Sequence, residues 1–282
     1  ITSPQGCSDS ISGVLTVYRN PFARFQDTDG CSGVMVQFTD MSYSIDGNIN
    51  VWAWDFGDGG ASVEGNPSHA YSQDGMYNVS LTTTTIYGCR SSYSDTVNIF
   101  SIPPAAIQTT NACVNAPVQL INTTTSTSGI NYTWDLGNGV QSSSANVTYA
   151  YTHPGTYTVT LNATSSVGCR NSVSSSVVVY PEPVTSFSTN NVCQGSSATF
   201  MSNSTISSGS ITHYSWDFGD NQTASASSAA HSYTTSGNYN VTLTTVSDHG
   251  CSSSVVNPLR VNPLPAVVFS GSYQGCSPIT AQ

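Results

Sequence analysis

The hexapeptide Trp54-Asp55-Phe56-Gly57-Asp58-Gly59 returns as Trp134-Asp135-Leu136-Gly137-Asn138-Gly139 and again as Trp216-Asp217-Phe218-Gly219-Asp220-Asn221, at intervals of 80 and 82 residues. A fixed period means a tandem array. This period is longer than that of a helical solenoid and suits a small β-sandwich, so each unit is expected to bury its own core.

A second block keeps the same beat. His69-Ala70-Tyr71 with Gly75-Met76-Tyr77-Asn78-Val79-Ser80-Leu81 is matched by Tyr149-Ala150-Tyr151 with Gly155 to Leu161, and by His231-Ser232-Tyr233 with Gly237 to Leu243. A Trp-Asp-Phe-Gly-Asp-Gly turn, then His-x-Tyr, then Gly-x-Tyr-x-Val-x-Leu resembles the PKD (polycystic kidney disease) domain along nearly the whole chain. The resemblance implies an all-β chain of tandem immunoglobulin-like sandwiches in an extended rod. The repeats are expected at 21–102, 103–181 and 182–263, with the end of a preceding repeat at 1–20 and the start of a following one at 264–282. On that division the chain begins and ends inside a repeat, as a window on a longer polymer would.

The residue pattern agrees with strands. Tyr77, Val79 and Leu81 alternate with polar residues, as do Tyr157, Val159, Leu161 and Tyr239, Val241, Leu243; period two marks a half-buried strand. Val36 and Phe38, Val118 and Leu120, Ala198 and Phe200 define a second inner strand. Trp54, Trp134 and Trp216 share parity with Trp52, Tyr132 and Tyr214, which gives each core an aromatic pair. Asp55, Asp135 and Asp217 cap their own backbone in a turn, where Gly57, Gly137 and Gly219 accept positive φ. Tyr77, Tyr157 and Tyr239 resemble the tyrosine corner of immunoglobulin-type sandwiches. Short proline-bearing links (Asn20-Pro21, Pro103-Pro104, Pro181-Glu182-Pro183, Pro263-Leu264-Pro265) favour an extended rod, each unit adding about 35 to 45 Å.

Lysine is absent, only 7% of residues are charged and the net charge is −10, which excludes nucleic-acid binding through phosphate neutralisation. With 38% hydrophobic residues the chain has enough apolar side chains for folded cores. No apolar run approaches the roughly 20 residues of a membrane span.

The cysteines form two series: Cys31, Cys113, Cys193 and Cys276 before the second strand, and Cys7, Cys89, Cys169 and Cys251 in the last hairpin. Such regularity argues for an oxidising, extracellular compartment, and the absence of Cys-x-x-Cys argues against zinc. Joining Cys89 to Cys113 would fold a rod back on itself. Pairing within a repeat (Cys31–Cys89, Cys113–Cys169, Cys193–Cys251) would span opposite ends of an immunoglobulin-like sandwich. Pairing across junctions, Cys31–Cys169 and Cys113–Cys251, joins loops that face each other. The junction scheme is the expectation, same-repeat pairing and free thiols its alternatives. It leaves Cys7, Cys89, Cys193 and Cys276 to partners in further repeats.

Asp55, Asp58 and His69 among many serines invite comparison with a hydrolase triad, but the repeats replace Asp58 by Asn138 and His69 by Tyr149 while the apolar positions hold. No catalytic residue is therefore expected, and the two histidines are read as packed rings. No cofactor is expected either, except that calcium stays open at Asp27, Asp29 and Asp40, which the first repeat alone carries. Candidate glycan acceptors are the outward-facing sequon residues Asn78, Asn162 and Asn240, the other sequons at Asn122, Asn131, Asn146, Asn203 and Asn221, and Ser10 and Thr96 in Asp-Ser/Thr-apolar motifs.

Arrays with this cysteine placement resemble the PKD repeats of large secreted bacteroidete surface proteins such as gliding-motility adhesins. The resemblance implies a segment of an extracellular fibre or adhesin stalk on the cell surface, its partners being neighbouring repeats and, through weak multivalent contacts, carbohydrate or other surfaces. The alternatives are an accessory substrate-binding module of a secreted hydrolase and an S-layer type envelope protein.

Overall fold

A computed structural model describes residues 1, 4–125, 129–268 and 270–271; Cys276 and most of the segment expected to open a further repeat lie outside the described residues. Among those described, every regular element is a strand, and no helix is long and apolar enough to cross a membrane.

The first repeat has nine strands: β1 (Phe25–Gln26), β2 (Gly30–Cys31), β3 (Met35–Gln37), β4 (Thr39–Asp40), β5 (Ile49–Asp55), β6 (Ala61–Ser62), β7 (Ser68–Ala70), β8 (Gly75–Thr85) and β9 (Arg90–Phe100). One sheet has the order β2-β9-β8-β5-β6. Its long hairpin, β8 with β9, runs antiparallel from Gly75↔Ile99 to Thr84↔Arg90. At its edge β2 pairs with β9 in parallel, Gly30 opposite Ile99 and Cys31 opposite Phe100. The second and third repeats repeat this sheet strand for strand.

The opposing sheet differs. In the later repeats it has three strands, for example Ile107–Thr109, Pro117–Asn122 and Asn146–Ala150, but in the first it splits into β1-β4 and β3-β7. The cause is Pro67, which sits where Val147 pairs with Leu120. Phe38 still donates its N–H to the Pro67 carbonyl at 2.9 Å, but proline has no N–H to return.

Each sandwich encloses a separate core. Val36, Phe38, Trp54, Phe56, Tyr71, Val79 and Leu81 are buried in the first, with equivalents in the other two. Burying each large ring contributes on the order of 2 to 3 kcal/mol. Trp52, Tyr132 and Tyr214 are partly buried against these cores, on the same face as the tryptophans.

The hexapeptide closes the β5-β6 hairpin and is held from three sides. Asp55, Asp135 and Asp217 each accept the N–H of the glycine two residues on, at 2.9 Å. The buried hydroxyls of Tyr71, Tyr151 and Tyr233 donate to the carbonyls of Phe56, Leu136 and Phe218. The tryptophan indoles donate to Glu64, Ser144 and Ala226 carbonyls. Tyr77, Tyr157 and Tyr239 donate to the carbonyls of Gln73, His153 and Thr235, four residues upstream, the geometry of a tyrosine corner.

Glycine is required twice over at Gly57, Gly137 and Gly219: φ is +79°, +75° and +78°, and a Cβ would lie 2.7, 2.5 and 2.8 Å from the carbonyl oxygens of Asn78, Thr158 and Asn240. The last turn position also has positive φ, +92° at Gly59, +86° at Gly139 and +70° at Asn221. A Cβ at Gly59 or Gly139 meets nothing, which is why asparagine, tolerant of left-handed backbone, stands at one of the three. Gly137→Ala is therefore expected to destabilise the middle repeat by at least about 2 kcal/mol, whereas Gly139→Asn costs less than about 1 kcal/mol. Denaturant unfolding of the two variants checks the contrast.

Candidate functional site

The features shared by all repeats and exposed at their ends converge on the junctions between them. The parallel pairing of β2 with the end of β9 puts Cys31 where the chain leaves the first repeat; Cys113 opposite Tyr180 and Cys193 opposite Asn262 repeat the arrangement. Cys89, Cys169 and Cys251 lie in the tips of the long hairpins, at the other end of each sandwich. Cys31 is bonded to Cys169 and Cys113 to Cys251, with Cα separations of 5.8 and 5.6 Å. Pairs within one repeat (Cys31–Cys89, Cys113–Cys169, Cys193–Cys251) do not form, because their members sit at opposite ends of an eleven-residue hairpin.

Each bond is seated in protein. Cys169 and Cys251 are 1% exposed, and the Cys169 sulfur lies 4.0 Å from the Phe100 carbonyl oxygen. Cys89 is in the same setting, its sulfur 3.6 Å from the Tyr18 carbonyl oxygen, but it and Cys193 are in no disulfide. Rings reinforce two junctions. Tyr18 stacks on Tyr87 at 3.8 Å and Tyr180, which ends the strand Arg170–Tyr180, on His249 at 3.8 Å, each pair joining a residue shortly before a repeat to the residue two before that repeat's hairpin cysteine. These stacks were not anticipated, although the spacing of aromatic and cysteine at each strand end could have disclosed them.

The polar residues of the hexapeptide form a fastening between turn and strand. His69 Nε2 lies 2.8 Å from Asp58 Oδ2, and His231 Nε2 lies 2.7 Å from Asp220 Oδ2. Each imidazole stacks flat on a core ring, Phe56 or Phe218, at 4.2 and 4.4 Å. In the middle repeat Asn138 donates to the Tyr149 hydroxyl at 3.0 Å, the same tie made from groups with no acid–base chemistry near neutral pH. Both partners change together, Asp with His and Asn with Tyr. Reading the two positions as a pair rather than singly would have found the contact in the sequence.

The three aspartates considered for calcium are not brought together. Asp29 accepts the Asn98 backbone N–H and its side-chain amide, Asp40 accepts the Trp52 indole N–H at 2.6 Å, and Asp27 faces Asp95 across the edge of the sandwich. Among the described residues no three acidic, histidine or cysteine side chains are placed to hold a metal. Asn78, Asn162 and Asn240 are exposed on the long central strands of the five-stranded sheets, and Ser10 and Thr96 are exposed as well.

Residues 18–100, 101–180 and 179–262 each match the family described as the PKD domain. The pre-pro-metalloprotease PrtV of Vibrio cholerae serotype O1 is 32% identical over 133 residues, which is 46% of this chain and 14% of that protein. Collagenase ColQ1 of Bacillus cereus is 42% identical over 65 residues, 23% of this chain and 7% of that protein. The chain thus spans only a small part of the length of either relative. The crystal structure of the PKD1 domain of Vibrio anguillarum Epp is 33% identical, covers 30% of this chain and 99% of its own, and gives a TM-score of 0.28.

Burial raises the Asp58 carboxyl, but hydrogen bonds from His69 and from the Gly60 N–H outweigh it and leave the group below the usual aspartate range. Its contribution is then complete above the unfolded value of about 3.9 and disappears as pH falls through the lower folded value. The first repeat is expected to lose stability over that acid range, and the paired substitution Asp58→Asn with His69→Tyr, copied from the middle repeat, should flatten this part of the profile. Thermal unfolding between pH 5 and 2 measures it; an unchanged acid limb in the double variant would contradict the assignment.

Proposed function

Because the chain belongs to the PKD domain family, in three tandem copies, we propose that it is a tension-bearing segment of an extracellular stalk or fibre of the large surface-adhesin kind, held to its neighbours by disulfides and carrying weak multivalent contacts to carbohydrate or other surfaces. The observation that supports this most is that the two disulfides overlap. Each closes a loop of sequence separation 138, and the two loops share the stretch from Cys113 to Cys169.

Overlap changes how the chain can lengthen. With both bonds closed, the shortest covalent path from residue 21 to residue 262 runs to Cys31, across to Cys169, back to Cys113, across to Cys251 and onward. That path has about 77 residues and extends to about 270 Å. With both bonds open, all of the roughly 240 residues lie on the path and it extends to about 850 Å. Most of the first and third repeats therefore stay slack however hard the oxidised chain is pulled. A lacing of this kind persists only in an oxidising compartment, consistent with an extracellular place of work. In a longer array Cys89 and Cys193 would continue it to flanking repeats.

A second reading, an accessory module of a secreted protease, is favoured by the metalloprotease and collagenase relatives. Single-molecule pulling separates a mechanical design from an incidental one. Between residues 21 and 262 the oxidised chain should stop lengthening at about one third of the extension of the reduced chain; equal extensions would remove the basis for the stalk.

A further inference from the structure

The first repeat carries a groove whose exposed rings and charges its sisters do not share. It lies at the seam where β1 of one sheet passes β9 of the other, encloses about 450 Å³ and is lined by Phe22, Arg24, Asp27, Tyr43, Tyr93 and Asp95 among others. Phe22 and Tyr43 form an isolated antiparallel bridge, their rings stacked at 5.4 Å, yet they are 55% and 58% exposed and outside the core. Such a cross-strand pair adds at most about 1 kcal/mol to the sandwich, and the outer faces of both rings stay open to water.

The other repeats serve as internal controls, because the backbone hydrogen bonds around the groove recur in them. Met41 donates to the Arg24 carbonyl just as Thr123 donates to Ala106 and Asn203 to Ser186. Arg24 N–H meets the Ser42 hydroxyl just as Ala106 meets Thr124 and Ser186 meets Ser204. Val184 bridges Thr205 where Phe22 bridges Tyr43. Tyr93 pairs with Leu81 where Val173 pairs with Leu161 and Val255 with Leu243. Phe25 has an aromatic counterpart in Phe187, but the rings of Phe22, Tyr43 and Tyr93 and the charges of Arg24, Asp27 and Asp95 all give way to smaller or uncharged residues in both sister repeats.

The acidic pair is the sharpest contrast. In the middle repeat the equivalent positions are Thr109 and Ser175, whose hydroxyls hydrogen-bond each other at 3.1 Å. The first repeat replaces that self-satisfied pair with two carboxylates. Asp95 accepts the Tyr93 hydroxyl at 3.0 Å. Among the described residues Asp27 receives no hydrogen bond from another side chain, and burial, followed by the charges of Asp95 and Asp29, pushes its carboxyl up. Arg24 is exposed and makes no ion pair among the described residues. Mutually repelling acids, an unengaged guanidinium and exposed rings cost stability, and such strained polar sets are found where a ligand is met.

We propose that this groove is a saccharide-binding site carried by the first repeat alone. A sugar ring offers what the groove lacks: an apolar C–H face to lie on Phe22 and Tyr43, hydroxyl hydrogens for the Asp27 and Asp95 carboxylates, and hydroxyl oxygens for the Arg24 donors. A cationic side chain would satisfy the acids but meets Arg24 at the same mouth. A divalent cation finds only two carboxylates there, since Asp29 and Asp40 are engaged with Asn98 and Trp52. One such site per chain binds weakly, and repetition along a fibre or across a surface supplies avidity. The site gives the surface contacts of the stalk a location but does not depend on tension, so pulling and binding measurements fail separately.

The test is calorimetric titration of the oxidised chain with soluble oligosaccharides built from glucose, xylose, mannose or N-acetylglucosamine, with oligolysine and calcium chloride in parallel. Two variants are borrowed from the sister repeats: Phe22→Val with Tyr43→Thr, and Asp27→Thr with Asp95→Ser. One saccharide class is expected to bind, with affinity reduced at least about tenfold in each variant. The Asp27→Thr, Asp95→Ser chain should also melt higher than the parent, as the restored hydroxyl pair no longer repels. The proposal is overturned if no saccharide binds at about 10 mM, if binding survives both variants, if the acid-free variant melts lower, or if oligolysine or calcium binds in place of sugar.

Discussion

The parallel pairing of Gly30–Cys31 with Ile99–Phe100 is a contact of two residues on each side, yet the organisation of the whole array depends on it. An antiparallel neighbour of β9 would have come from the long hairpin and returned the cysteine to the entry end. Because β2 instead runs alongside β9 in the same direction, the first-series cysteine is delivered to the point where the chain exits, next to the hairpin tip of the following repeat. Within a repeat the two cysteines are then as far apart as the sandwich allows. Repeating this geometry at Cys113–Tyr180 and Cys193–Asn262 makes the junction bond a property of the fold.

The strands that build the cores were legible because their signal is local. Tyr77, Val79 and Leu81 alternate with period two, and all three repeats agree, so parity alone assigns the inner face. The hexapeptide was legible as a turn for the same reason: the Asp55 cap and the positive φ at Gly57 are set by backbone within two residues, whereas the close approach of the Asn78 carbonyl to Gly57 is not. What escaped the sequence are contacts between elements. The Asp58–His69 tie joins a turn to a strand and shows only as a paired exchange with Asn138 and Tyr149. The split of the second sheet required knowing that Pro67 faces Phe38. The Phe22–Tyr43 groove was hidden because exposed aromatics at strand ends have no periodicity, and the aspartates nearby, Asp27, Asp29 and Asp40, were read as a set when they face three different partners.

Repetition within one chain separates structural from functional constraint without any alignment of relatives. Positions that tolerate no change across the three copies, such as Gly57 with its equivalents and the tryptophan indoles bonded to backbone carbonyls, are those where backbone geometry leaves no alternative. Positions that change while preserving a contact, such as Asp58 with His69, hold the fold by more than one chemistry. A third group carries charge in one copy only, where neither sister repeat does. The Asp27–Asp95 pair belongs there, since the hydroxyl pair of Thr109 and Ser175 shows that the fold itself has a neutral solution at the same place.

The same distinction applies to the cysteines. A disulfide inside each repeat would protect each sandwich from unfolding but would leave the short proline-bearing links as the only connection between them, free to bend and first to bear load. Bonds across the junctions act on the weaker element, since the cores are already stabilised by buried rings while the junctions carry few contacts, such as Asn171 donating to the Pro103 carbonyl or Tyr180 stacking on His249. Because successive bonds overlap by the span from Cys113 to Cys169, a pull on the oxidised chain would pass from one junction to the next through a short covalent route, and the first and third cores would be relieved of it. Stiffness and limited stretch then arise from connectivity, which the slow drift of surface residues between repeats does not disturb.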